Sequence, residues 1–249
     1  MKHLSLTGKL LAVVITFFIT SCGSNEQKTT TETTDGSDST AATAPAAETP
    51  VSTITTTPQT MMVVRHKVAD YAKWLASYEM HDSMRLASGL HNYVIGRGVE
   101  DPNTVLVAVK ADDIAKAKAF GKAPDLKEAM KKSGVIGMPK IMLVTSAFRD
   151  TADLSPDIVR SMTIFTVKDF DAWKKAFESN RQIRTDNGIT DRVYSYDVDD
   201  NHKVTLVVAI NDSSKANAFW KSDQIKKLRA ESGVVGTPER FNYRIVKKY

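Results

Sequence analysis

Apolar and polar side chains alternate through "MMVVRHKV" (61–68), which predicts a strand with Met62, Val64, His66 and Val68 on one face. After Asp70, a strong N-cap residue, the apolar positions change to helical spacing. They predict a helix running to about Ala87 and ended by Gly89 in a left-handed C-cap. "HNYVIGRGV" and "TVLVAVK" predict two strands joined by the turn "EDPN". Asp112 or Asp113 caps a second helix, interrupted near Pro124, which can open a helical turn but cannot donate within one. "KIMLVTSAF" is the last strand. The order is β-α-β-β-α-β, the ferredoxin-like split motif.

The pattern then returns. A shift of 99 residues lays 68–139 over 167–238 without a gap. Identical pairs include Asp70/Asp169, Trp74/Trp173, Arg85/Arg184, Gly89/Gly188, Phe120/Phe219 and Pro139/Pro238. A unit of about 90 residues is too long for a solenoid repeat and right for a small domain. A four-stranded antiparallel sheet with both helices on one face leaves its other face bare. Two such units in one chain, linked by "RDTADLSPDIVRS" (149–161), can cover each other. The expected class is therefore α+β. Tandem ferredoxin-like units at 60–149 and 160–249 would form an intramolecular pseudo-dimeric α/β barrel, and the chain would be a monomer.

Several short patterns carry a resemblance. "H-K-V-x-D-Y-x-x-W", "H-x-x-x-R-x-x-x-G", "D-P-N-x-V", "A-F-x-x-x-P-x-L-K" and "G-V-x-G-x-P" are similar to the dimeric α/β-barrel superfamily. Its antibiotic-biosynthesis-monooxygenase-like and cyclase-like groups match in particular. The first copy matches over its whole length and the second more loosely. The resemblance implies the barrel, usually built there from two chains and here from a fused pair. It implies no single chemistry, because the superfamily holds cofactor-free oxygenases, haem-degrading enzymes and decarboxylating or isomerising enzymes. No catalytic residue set of a characterised subfamily matches, and whether the chain is an enzyme stays open.

Composition adds the compartment. Met1–Lys9 carries Lys2 and Lys9, and "LLAVVITFFIT" then has the length of a secretory h-region, short of the roughly 20 apolar residues that span a bilayer. It ends at "ITSC", with the chain's single cysteine, Cys22. Branched apolar, small, small, Cys resembles the lipobox of bacterial lipoproteins, in which the signal is cut before a diacylated Cys. The alternatives are a plain signal peptide with an incidental Cys and a short uncleaved anchor. Residues 1–21 are thus expected to be a signal peptide and Cys22 the lipidation site. Residues 22–59, rich in Thr, Ser and Pro, are expected to be a disordered linker. The place is the cell envelope, with the membrane as partner through the anchor. Gly23 at the next position resembles the outer-membrane-sorted class of organisms with two membranes.

The formal charge is +5, and residues 1–58 hold three Lys against five acidic residues, which leaves the remainder at +7. Its lysines lie at helical spacing among acidic neighbours, a solvated face without any nucleic-acid-binding motif, so no nucleic-acid partner is expected. No nucleotide-binding, serine-hydrolase or zinc-site pattern occurs either. The acidic run "DVDDN" (197–201) lacks the glycine and terminal glutamate of a calcium loop and reads as a hairpin turn, so no metal is expected.

Candidate chemistry sits on the first helix. At about 100° per residue, Tyr71, Tyr78, His81 and Arg85 all fall within about 60° of Trp74, on the stripe that faces the sheet. One reading is a helix–sheet pocket that binds a small organic molecule, walled by Trp74, Tyr78 and Tyr71. A second adds catalysis without a cofactor, oxygenase- or isomerase-like. There Arg85 would bind a carboxylate or oxyanion, His81 would move a proton, and His66 could assist. A third and weaker reading has His81 ligate haem. Against all three stands a structural role: Arg85 recurs as Arg184, whereas His81 becomes Asn180 and His66 becomes Phe165.

Overall fold

Strand and helix succeed one another in an order that occurs twice between residues 52 and 249, the residues that the structure, a computed structural model, describes. The expected signal peptide, Cys22 and most of the expected linker lie outside the described residues. A short strand β1 (Ile54–Thr55) precedes β2 (Gln59–Val68), α1 (Tyr71–Met80), α2 (Asp82–Ala87), β3 (Leu90–Gly98), β4 (Thr104–Ala111), α3 (Ile114–Lys122), α4 (Pro124–Lys132) and β5 (Val135–Asp150). The second set is β6 (Val159–Val167), α5 (Phe170–Ser179), α6 (Arg181–Asp186), β7 (Ile189–Asp197), β8 (Lys203–Ile210), α7 (Ser213–Lys221), α8 (Asp223–Glu231) and β9 (Val234–Lys248).

Aspartates open four of these helices. Side-chain oxygens of Asp70, Asp113, Asp169 and Asp212 accept from the backbone N–H three residues on, at 2.7–3.0 Å. Each bond satisfies a donor that the first helical turn leaves free. Gly188 (φ +69°) admits no other residue easily, since a Cβ there would stand 2.5 Å from the Cβ of Asp212.

The sheet has the order β1-β5-β2-β4-β3-β9-β6-β8-β7, and β7 pairs back onto β5. Eight antiparallel strands thereby close a barrel. Its seams are β3 on β9, running from Val94↔Lys248 to Gly98↔Tyr243, and β5 on β7, from Val144↔Asp197 to Arg149↔Val193. Closure covers the sheet face that either set alone would leave bare and removes the open barrel edges.

Period-two alternation on the central strands separates two cores. Met62, Val64 and Val68 of β2 and Val105, Val107 and Val109 of β4 pack under the helices with Trp74. Met61 and Val63 of β2 and Leu106 and Ala108 of β4 point into the barrel, where Met162 and Tyr243 of the second set meet them. Both strand faces are buried, which explains the unbroken apolar run in "MMVV".

Three boundaries differ from expectation. The first helix does not run unbroken to Ala87: α1 stops at Met80, His81 leaves helical geometry (φ −92°, ψ 21°), and α2 restarts at Asp82. Asn180 makes the same break between α5 and α6. The linker does not extend to residue 59, because Ile54 and Thr55 pair with Asp150 and Arg149 and the Thr53 hydroxyl donates to Asp150 at 2.8 Å. Thr and Ile favour extended chain once a strand edge is offered. The connection between the two sets is also shorter than 149–161, since β5 runs through Asp150 and β6 begins at Val159.

Candidate functional site

Between the helices α1–α4 and the outer face of β2, β3 and β4 lies a cavity of about 680 Å³, mouth included. His66, Trp74, Tyr78, His81 and Arg85 all line it, among apolar walls that include Met62, Val64, Leu90 and Phe120. Tyr71 is not part of the lining. It packs on Trp74 at 5.8 Å beneath the Arg97 guanidinium, which lies 4.1 Å from its ring.

The break at His81 explains two of the polar residues. Where α1 ends, side chains add donors to the carbonyls of its last turns, and Ser77 O also accepts the backbone N–H of His81 at 3.3 Å. Ser77 O accepts from His81 Nδ1 at 2.6 Å, and Tyr78 O accepts from Arg85 Nη1 at 2.7 Å. The second set repeats both bonds. Asn180 Nδ2 donates to Ala176 O at 2.8 Å, and Arg184 Nη1 donates to Phe177 O at 2.7 Å. An Asn amide thus takes the place of an imidazole N–H. Because Nδ1 of His81 donates to a carbonyl, a neutral His81 carries its free lone pair on Nε2.

Arg85 is further engaged. Its Nε donates to Asn92 Oδ1 at 3.0 Å and its Nη2 to Asp82 Oδ1 at 3.1 Å, while the guanidinium lies 3.7 Å from the Tyr78 ring. Asn92 is the hub of the group. It also accepts from the Tyr78 hydroxyl at 2.5 Å and donates to Asp82 at 2.6 Å. Burial is the main cause that pushes the Tyr78 pKa up, so this hydroxyl keeps its proton. In the second set Asp191 replaces Asn92 and takes Arg184 in a fork, Nε to Oδ1 at 2.7 Å and Nη2 to Oδ2 at 2.6 Å.

His66 stands apart. Its ring is 5% exposed and lies on the helix side of β2, 5.3 Å from Trp74 at a tilt of 57°. Phe165 meets Trp173 in nearly the same way, at 5.5 Å and 59°. Packing therefore requires only a ring here. Both nitrogens of His66 lack a hydrogen-bond partner. Burial lowers its pKa to about 4, so at neutral pH the ring is uncharged, with one N–H donor and one lone-pair acceptor. A base that weak does not accept a proton efficiently near pH 7.

A second cavity of about 770 Å³ lies at the matching place in the other set. Phe165 and Asn180 line it in place of the two histidines, and Arg184 persists. Arg229 of α8 and Arg240 of β9 join it. Arg240 lies 3.8 Å from the Trp220 ring with its Nε unpartnered, and burial, followed by the charge of Arg229, lowers its pKa to about 10. "DVDDN" makes the β7–β8 connection, with Asp199 paired to Lys118 and Asp200 to His202 and Lys203. No group of three or more potential metal ligands occurs among the described residues.

Sequence reasoning missed Asn92, Arg229 and Arg240. A signal for Asn92 was present in the repeat, which sets Asn92 opposite Asp191 just as it sets Arg85 opposite Arg184.

No known family pattern and no curated protein matches the chain. Solved structures do. An anthrone oxidase-like protein aligns over 77% of this chain and 92% of its own, at 12% identity and a TM-score of 0.54. A candidate monooxygenase from Fusobacterium nucleatum subsp. nucleatum aligns over 76% and 93%, at 11% identity and a TM-score of 0.50. Another, from Lactobacillus acidophilus, aligns over 75% and 94% at 13% identity and a TM-score of 0.47. Likeness at such identity defines fold and not activity. The chain shares the fold of the first two of these proteins, with its eight-stranded barrel closed inside one chain.

Proposed function

We propose that the first helix–sheet cavity binds a small, largely apolar organic molecule whose one polar group meets His66. The reading rests on a buried imidazole that lines an apolar cavity and whose two nitrogens have no partner. A buried polar group is ordinarily paired, and one left free is a strong candidate for pairing with a ligand. Arg85 and the Nδ1 of His81 are already occupied by helix carbonyls and the Asn92 hub, so their roles in the proposal are to shape and hold the cavity. Trp74 and Tyr78 supply aromatic walls. Acylation of Cys22 would hold the chain at the cell envelope, and closure of the barrel within one chain supports a monomer.

Anthrone, a neutral polycyclic ketone suggested by one structural neighbour, is a suitable probe. The expected result is a saturable rise in Tm of the full chain. His66→Phe, which copies Phe165, should weaken it about three- to tenfold, the worth of one hydrogen bond of about 0.5–1.5 kcal/mol. Equal affinity in the two proteins would refute the reading.

A second reading makes the same cavity catalytic without a cofactor, oxygenase- or isomerase-like. It is supported by the Nε2 of His81, a nitrogen of a cavity-lining imidazole that no hydrogen bond occupies among the described residues. His81→Asn keeps the helix bond, as Asn180 does, and removes the base. Conversion of anthrone and oxygen to anthraquinone and water, abolished in His81→Asn, would establish this reading. Turnover unchanged by the substitution would remove it.

Haem is the weakest of the three readings. His81 Nε2 could face an iron, yet the only cation in the lining is Arg85, whose bonds to Tyr78 O, Asn92 and Asp82 leave no ready partner for two propionates. The residues fit a neutral ligand better. A Soret shift on titration with haem that His81→Ala abolishes would reverse that order.

A further inference from the structure

A third cavity, of about 1270 Å³ with its mouth, occupies the inside of the barrel and draws its walls from both sets of strands. Val63, Leu106, Met162 and Val207 make its sides apolar. Its charged groups come from the last residues of β5 and β9, the first of β6, the bulge of β7 and the connection after β5. Arg149, Arg160, Arg192 and Lys248 stand against two carboxylates, Asp150 and Asp153. Asp150 pairs with Arg192 at 2.6 Å, and Asp153 with Lys248 at 2.5 Å. Two guanidinium groups remain over.

Arg149 donates to the Ser146 hydroxyl at 2.6 Å. Arg160 is 4% exposed, and its one side-chain hydrogen bond is a long one, Nη1 to Ile158 O at 3.3 Å. No carboxylate pairs with either guanidinium among the described residues. Nothing in the fold demands a cation at this place, for the residue 99 positions earlier is Met61, which serves the same barrel core. Arg192 is equally particular to its side. It is the extra residue of a β-bulge between Asp191 and Val193, a bulge that the first set shares between Asn92 and Val94, so that only the residue type differs. Its counterpart across the repeat is Tyr93.

A buried cation without a counter-ion is unfavourable unless an anion joins it. We infer that the barrel interior binds a single-chain amphiphile with a carboxylate or phosphate head, the head between Arg160 and Arg149 and the chain along Val63, Leu106, Met162 and Val207. Arg offers the planar fork of donors that either head group accepts. This site is separate from the helix–sheet cavity, on the opposite face of the same strands.

Titration calorimetry of the full chain with decanoate, decyl phosphate and decanol tests it. Decanoate, decyl phosphate or both should bind saturably, and decanol at least tenfold more weakly; the tighter of the two anions names the head group. Arg160→Met, which copies Met61, should weaken anion binding tenfold or more. Val207→Phe, which fills the cavity without touching a charge, should do the same. His66→Phe should leave it unchanged, so that failure here and failure of the first-cavity reading are told apart. Absence of saturable anion binding, affinity for decanol equal to that for the anions, or full affinity in Arg160→Met would overturn the inference.

Discussion

His66 lies against Trp74 with ring centroids 5.3 Å apart, and neither of its nitrogens has a partner. The same contact is made by Phe165 and Trp173, without any polar atom to satisfy. The comparison within one chain separates what the packing requires from what it does not. It also marks His66 as an expense to stability in the free protein.

His66→Phe should therefore stabilise the unliganded protein at neutral pH, by about 1–3 kcal/mol if the unpaired nitrogens carry a full desolvation penalty. Urea denaturation midpoints of the two proteins would check this.

The pH dependence follows from the same group. Its folded pKa, about 4, lies below the ordinary value of 6.5, so the unfolded chain binds the proton first. Stability should be fully present above pH 6.5, fall as pH drops toward 4, and lose up to about 3 kcal/mol over that window. In His66→Phe that component should be absent, so the gap between the two proteins widens on acidification. Denaturation measured at several pH values reads it.

His81 and Asn180 make equivalent bonds to the carbonyls of Ser77 and Ala176. His81→Asn should accordingly fold with nearly unchanged stability, whereas His81→Ala should lose about 0.5–1.5 kcal/mol.

The two arginine pins should differ in cost. Arg184→Met leaves Asp191, whose side chain is 3% exposed, with only the longer Arg181 contact at 3.4 Å, and should cost about 3 kcal/mol or more. Arg85→Met leaves neutral Asn92 and Asp82, the latter 45% exposed, and should cost about 1–3 kcal/mol. Thermal or chemical denaturation of the pair would show the order.

Much of the architecture was legible because its signals are local and occur twice. Asp70 and Asp169 announce helix starts, and Trp74 and Trp173 announce the stripe that faces the sheet. The break at His81 was not legible, since apolar spacing continues through "YEMHDSMR" and the carbonyl of Tyr78 is met by a side chain seven residues on, that of Arg85. The face chosen by His66 was open until the strand was packed, because both faces of β2 are buried. Arg149 and Arg160 fell within what reads as a connecting segment, and only barrel closure makes both line a common cavity. Arg229 followed the pattern of a solvated helix face, and its encounter with Arg240 depends on how α8 meets β9.

The central claim concerns the nitrogens of His66, and nitrogen-15 NMR of the imidazole side chains observes them directly. With anthrone added to saturation, the His66 ring nitrogen resonances are expected to shift as a hydrogen bond forms, with the ring still neutral at pH 7. Saturable anthrone binding that leaves both His66 resonances where they were would contradict the claim.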